Sequence, residues 1–193
     1  MLAEKYRKNG LLLILIILTV SIYILPGDAY ASTSSGGQVI AYNKGVIKTI
    51  GSQKVSGPCG IYSMAYSRAV LDGKFDKGRY SSIRSRIIKQ YGSGTYCAYW
   101  YKAGGTTHLY SSSKKCYKAA LVQIKKGRPC ILKVKNGYTG NNHYVAVIGY
   151  VSGTTSSNVS IKKFIALDPA YGTQKNLSNM RYYNSSRHQL ITF

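Results

Sequence analysis

Cys59 stands in the stretch Gly57-Pro58-Cys59-Gly60, at the entry to a helical pattern rather than within an apolar run. At a helix start the sulfur meets the positive end of the helix dipole, which favours thiolate, the nucleophilic form. A thiolate that attacks a carbonyl needs a base, a group that orients the base, and donors for the developing oxyanion. His143 and Asp168 suit the first two roles. His143 opens the β-branched and aromatic run "HYVAVIGYV", Asp168 ends "IKKFIALD", and the turn-rich "SGTTSSN" lies between the two runs. A hairpin pairing Val151 with Ser160 makes partner numbers sum to 311, which sets His143 opposite Asp168. Directly opposed residues share a face, so the imidazole would lie beside a carboxylate that fixes its tautomer and favours its protonated form. A slip of one residue would separate them. For the oxyanion, the donors are the backbone N–H of Cys59 and the side-chain amide of Gln53, six residues upstream.

The elements that must position these residues follow from the apolar periodicity. Gln38 to Ile50 alternates weakly and suits a short strand. Cys59 to Leu71 carries Ile61, Met64, Ala65 and Ala69 at helical spacing, with Asp72-Gly73 as the stop. Arg68 falls on the same stripe, its stem along the core edge and its charge in water. A second helix runs from Ser81 or Ser82 to Gly92, with Ile83, Ile87, Ile88 and Tyr91 on one face. A third spans Lys115 to Lys126, with Ala119, Ala120, Leu121 and Ile124 inward and Gly127 after it. The pattern then changes to strands: "CILKV", the two runs above, and "RHQLITF" at the C-terminus. Helices first and an antiparallel sheet afterwards make an α+β domain rather than a doubly wound one.

The other reactive residues have plainer readings. His108 lies in a Gly/Thr loop and His188 has no acid near it in sequence. Asp72 and Asp76 flank the Gly73 turn as capping or solvated groups. Cys130 reads as core. Cys97 and Cys116 bracket a Tyr-rich, Gly-rich segment, and a bridge between them would spare Cys59; the alternative keeps all four thiols reduced. With no CxxC, no HExxH and no clustered His/Cys spacing, no metal or other cofactor is expected.

Charge and termini bound the setting. The 193 residues hold 27 Lys and Arg against five acids, a formal net charge of +22. Such a field draws anionic partners, cell-wall or glycan polymers among them, and basic domains also adhere without a dedicated target. Nineteen tyrosines, several crowded with the single Trp between Tyr91 and Lys118, suit sugar or base stacking, but no specific nucleic-acid signature accompanies them. Residues 1–31 read as a secretory signal: Lys5, Arg7 and Lys8, an apolar run from Leu11 to Leu25, and Ala29-Tyr30-Ala31 as the cleavage site. If uncleaved, this segment would be the chain's membrane anchor. Residues 32–193 then form a single domain, secreted and held to the cell wall by its charge, with one proper core.

The Gln53-x5-Cys59-Gly60 spacing resembles papain-like cysteine peptidases. The second half, "GRPCILKVKNG", "NNHYVAVIGYV" and "FIALDPAYGT", is similar to the bacteriocin-processing (double-glycine) peptidase family and its stand-alone secreted relatives. That resemblance covers about Gln53 to Thr173. It implies a papain-like fold, with Cys59 as nucleophile, His143 as base, Asp168 as orienter and Gln53 in the oxyanion hole, acting on a peptide or protein substrate. The chain carries no transporter domain, so leader cleavage is not implied. Two other readings use the same residues or the charge alone: a peptidoglycan amidase or endopeptidase, and a non-catalytic basic module that binds anionic cell-surface polymers.

Overall fold

Asn43 decides where the first of the described helices begins. Its Oδ1 accepts the N–H groups of Gly45 and Val46 at 2.9 and 3.2 Å, and the chain turns into α1, Lys44–Ile50. Gly51, at φ 67°, ends it. The stretch read as a weak strand over Gln38–Ile50 therefore divides: Gly37–Ile40 is strand β2 and the rest turns helical. The structure is a computed structural model and describes residues 30–32, 36–54, 58–75 and 100–193. The signal segment up to residue 29, the helix expected from Ser81 to Gly92, and Cys97 lie outside the described residues. Tyr30–Ser32, at the expected cleavage point, pairs with β2 as strand β1.

Helix α2, Cys59–Asp72, follows its expected bounds closely and stops at Gly73 in the left-handed conformation. Pro58 precedes it without a side-chain cap, and the first intrahelical bond runs from Tyr62 N–H to Pro58 C=O. The N–H groups of Cys59, Gly60 and Ile61 thus lie outside the helical ladder. Arg68 is half-buried and reaches Asp72 one turn on, with Nη2 2.5 Å from Oδ1. Asp72 is an ion-pair partner as well as a helix-end residue.

Helix α3, Ser113–Lys125, starts two residues earlier than the apolar periodicity indicates because Ser112 caps it. It buries Cys116, Tyr117, Ala120, Leu121 and Ile124 against the sheet. Cys116 on that inward stripe is a buried, free thiol, which favours the reduced alternative over the possible bridge to Cys97. Cys116 lies one turn before Ala120 on the face of α3 that packs on the sheet, so its thiol sits in the core. Burial pushes its thiol up to about 12, and Cys130 is likewise buried and reduced.

The sheet is antiparallel and comprises nine strands among the described residues. Beyond β1 and β2 these are β3 (Thr106–Tyr110), β4 (Cys130–Asn136), β5 (Asn142–Val151), β6 (Phe164–Asp168), β7 (Thr173–Asn176), β8 (Tyr182–Asn184) and β9 (His188–Thr192). The order is β1-β2-β5-β4-β9-β3, with β6 on β5, β7 on β6 and β8 on β4. His108 lies in strand β3 rather than in a loop. β3 pairs with β9, and His108 Nε2 sits 2.9 Å from Thr192 Oγ1. Among the described residues, three helices pack on this sheet and make an α+β domain. The aromatic residues of the Tyr-rich segment that are described divide between core and surface. Trp100 stacks edge-on against Tyr144 at 5.2 Å and Tyr117 against Phe164 at 6.0 Å, while Tyr101 is exposed.

Candidate active site

The hairpin register differs from the simplest one. Ile161–Lys163 forms a turn of 3-10 helix, so β6 begins only at Phe164, which pairs with Tyr150. Partner numbers sum there to 314, not 311. Continued unchanged, that register would set Asp168 against Ala146, on the face opposite to His143. A β-bulge between Val147 and Gly149 inserts Ile148 as the extra residue, and the pairing beyond it becomes Val147 with Ala166 and Ala146 with Leu167. Asp168 then falls opposite Val145, two residues from His143 and on its face. The expected direct opposition of His143 and Asp168 is thus replaced by a diagonal contact. His143 Nε2 lies 2.9 Å from Asp168 Oδ1.

Asp168 is fully buried and held from several sides. Oδ1 accepts the Ala170 N–H at 2.9 Å, the local turn bond that an Asp-Pro-Ala sequence favours. Oδ2 accepts the Tyr182 hydroxyl at 2.5 Å. Tyr182 comes from β8, which pairs with β4 so that Tyr182 faces Asn136, Asn184 faces Val134, and Val134 faces His143. Its ring centroid lies 5.5 Å from that of His143. Burial, then the Asp168 charge and hydrogen bond, push the Tyr182 pKa upward, so the phenol remains a donor at neutral pH. Sequence reasoning missed Tyr182. It is one of nineteen tyrosines, and only the β4–β8 pairing brings it to the carboxylate.

His143 is 6 % exposed and also hydrogen-bonds Cys59. With Nε2 committed to Asp168, Nδ1 is the nitrogen available to the sulfur. Burial pushes the imidazole pKa down, but the hydrogen bonds to Asp168 and Cys59 and the two negative charges outweigh it, raising it to about 9. The ring is therefore an imidazolium at neutral pH, and a cation beside the sulfur stabilises thiolate. Cys59 itself is 1 % exposed and packs with Ile61, Met64, Trp100 and Tyr144, whose apolar bulk strengthens these electrostatics. Ser63 Oγ, one turn on, donates to the Tyr144 carbonyl at 3.0 Å and ties α2 to β5.

Gln53 joins this group through the backbone. Its N–H donates to Pro169 C=O at 2.8 Å. Gly172, which closes the Asp168 turn at φ 68°, packs so tightly on the 51–52 backbone that a Cβ there would lie 2.7 Å from Ser52 N. The Gln53 Oε1 position is buried without a hydrogen-bond partner, and half a rotation of the amide presents Nε2 there instead. A buried amide end kept unpaired in the protein suits a group that bonds to a substrate. Cys59, His143 and Asp168 thus form one hydrogen-bonded line, with Gln53 tied to its acidic end. Among the described residues no His, Cys, Asp or Glu cluster suits a metal ion.

Such a line can generate a thiolate, attack a carbonyl and return a proton to a leaving group. No curated protein and no solved structure matches the chain. Residues 59–191 match the Peptidase_C39 like family, a span that runs from the helix-start cysteine through His143 and Asp168 to the last strand. By that match, over most of its length, the chain belongs to the Peptidase_C39 like family.

Proposed function

We propose that the protein is an exported cysteine peptidase that hydrolyses peptide bonds through Cys59, His143 and Asp168. The observation that carries this reading is His143 bonded to both Cys59 and Asp168 within one buried line. The Cys59 thiolate adds to the scissile carbonyl carbon. The oxyanion is met by the Cys59 N–H, outside the helical ladder, and by the Gln53 amide. The His143 imidazolium gives its proton to the leaving amine as the C–N bond breaks, leaving a thioester on Cys59. Neutral His143 then takes a proton from the water that attacks the thioester, which frees the acid and leaves the Cys59 thiolate beside the imidazolium. Asp168 keeps the ring in one tautomer throughout, and Tyr182 keeps Asp168 in place.

The test is turnover of unfolded protein and of purified peptidoglycan by the wild type and by Cys59→Ala. Cleavage of protein chains that Cys59→Ala abolishes, with the fold retained by circular dichroism, supports the reading. Retained hydrolysis in the variant refutes it. Release of cross-link fragments from peptidoglycan alone would move the substrate to cell-wall amide bonds, which the +22 charge suits. Salt-sensitive binding to anionic polymers with no turnover would favour the binding module.

A further inference from the structure

A cavity of about 610 Å³ opens beside the Gln53 loop. Tyr42, Lys44, Lys48, Ser52, Tyr171 and Gln174 line it. Its size suits one or two residues of a peptide. Ser52 precedes Gln53, and Tyr171 lies in the turn that starts at Asp168, so the cavity adjoins the acidic end of the catalytic line. Its walls are fixed: Tyr42 donates to Gln174 Oε1 at 2.8 Å, and Lys175 lies 4.5 Å over the Tyr171 ring.

The charge in this cavity is of one sign. Lys44 and Lys48 stand one turn apart on α1, so their ammonium groups share a face and repel. Neither makes an ion pair among the described residues. The acids described are Asp72, engaged with Arg68, and Asp168, buried against His143 and Tyr182. An anion between the two lysines would relieve their repulsion, and the hydroxyl and amide groups of Tyr42, Ser52 and Gln174 supply polar contacts around it. We infer that this cavity is a substrate subsite for a carboxylate, either an acidic side chain near the scissile bond or the C-terminus of the substrate. The inference rests on the peptidase reading and names the substrate class.

The experiment compares peptides that differ only by Glu or Gln at each position around the cleaved bond, each with a free or amidated C-terminus. Wild-type kcat/KM is expected to favour Glu at one position by tenfold or more, with the ratio falling toward one in Lys44→Ala/Lys48→Ala and inverting for Lys against Gln in Lys44→Glu/Lys48→Glu. A preference for the free C-terminus instead identifies that carboxylate as the occupant. Binding of the same peptides to Cys59→Ala by calorimetry separates the two readings. If wild type cleaves nothing but Glu peptides bind through the two lysines, the peptidase reading fails and the anionic subsite stands. Equal treatment of Glu and Gln peptides and of both C-termini, in cleavage or in binding, overturns the subsite, as does a preference that survives in the double alanine variant.

Discussion

Asp168→Asn isolates the charge that holds His143 protonated. The amide is isosteric: its oxygen can still accept from His143 Nε2 and the Ala170 N–H, and its NH2 can turn to the Tyr182 oxygen. The ring orientation is kept while the carboxylate charge goes. Burial pushes the His143 pKa down, and Asp168 and Cys59 together lift it from the ordinary 6.5 to about 9. That difference corresponds to roughly 3 kcal/mol in favour of the imidazolium. Without the Asp168 charge the burial penalty remains and the balance turns toward neutral imidazole. The thiolate loses its cation, and alkylation of Cys59 near neutral pH should fall by at least about tenfold, half or less of the roughly 3 kcal/mol being enough. The assay is the rate of iodoacetamide labelling at each cysteine against pH, read by mass spectrometry. Cys116 and Cys130 serve as internal controls, since burial pushes both thiols up and keeps them inert. Folding stability carries the same signature. The folded His143 value lies above the unfolded one, so its contribution is full below about pH 6.5 and is lost as pH rises through about 9. That loss of stability between about pH 6.5 and 9 should shrink in Asp168→Asn, where burial opposes the charge with only Cys59 left to favour it. An unchanged Cys59 labelling profile in the variant would refute the electrostatic argument.

Tyr182→Phe removes one hydrogen bond to a buried carboxylate and should cost about 1.5–3 kcal/mol, divided between folding and turnover. Urea denaturation and kcat/KM together check it, and no loss in either would show that Tyr182 does not support Asp168. Gly172→Ala puts a Cβ 2.7 Å from Ser52 N at a left-handed backbone position, which should push the 51–53 loop away from the Asp168 turn. The Gln53 amide then moves while the Cys59–His143–Asp168 line stays. Turnover is expected to fall by about 10- to 100-fold with Cys59 labelling retained; parallel loss of both would place the damage in the line itself.

Much of the site was legible because its local signals are strong. Cys59 at a Gly-Pro/Gly helix start, Asp168 in an Asp-Pro turn, and His143 opening a β-branched run each follow from neighbours in sequence. So do the bounds of α2 and the long strand β5. The papain-like resemblance put Gln53 with them on spacing alone. Other elements had no local signal. β3, β7 and β8 are short, and β7 and β8 are polar or exposed along much of their length. They exist because a neighbouring edge pairs with them, a property of the partner rather than of the segment. Cys116 faces the core because it lies on the same stripe of α3 as Ala120 and Ile124, which no cysteine count can reveal.

The sequence by itself determined which residue types were available and roughly where along the chain they fell. It did not determine that His143 and Asp168 share a face. The 3-10 turn at Ile161–Lys163 moves the hairpin register by an odd number of residues, which would part them, and the bulge at Ile148 moves it back by one. β6 runs along β5 opposite β4 at Ala146 and Val147 and opposite β2 at Gly149 and Tyr150, so the bulge falls where the facing partner changes. Register has a period of two, so a single inserted residue decides the face. Tyr182 reaches Asp168 for the same kind of reason, through its pairing across β4. Cys59, His143 and Asp168 were written in the chain, but their meeting was decided by the sheet.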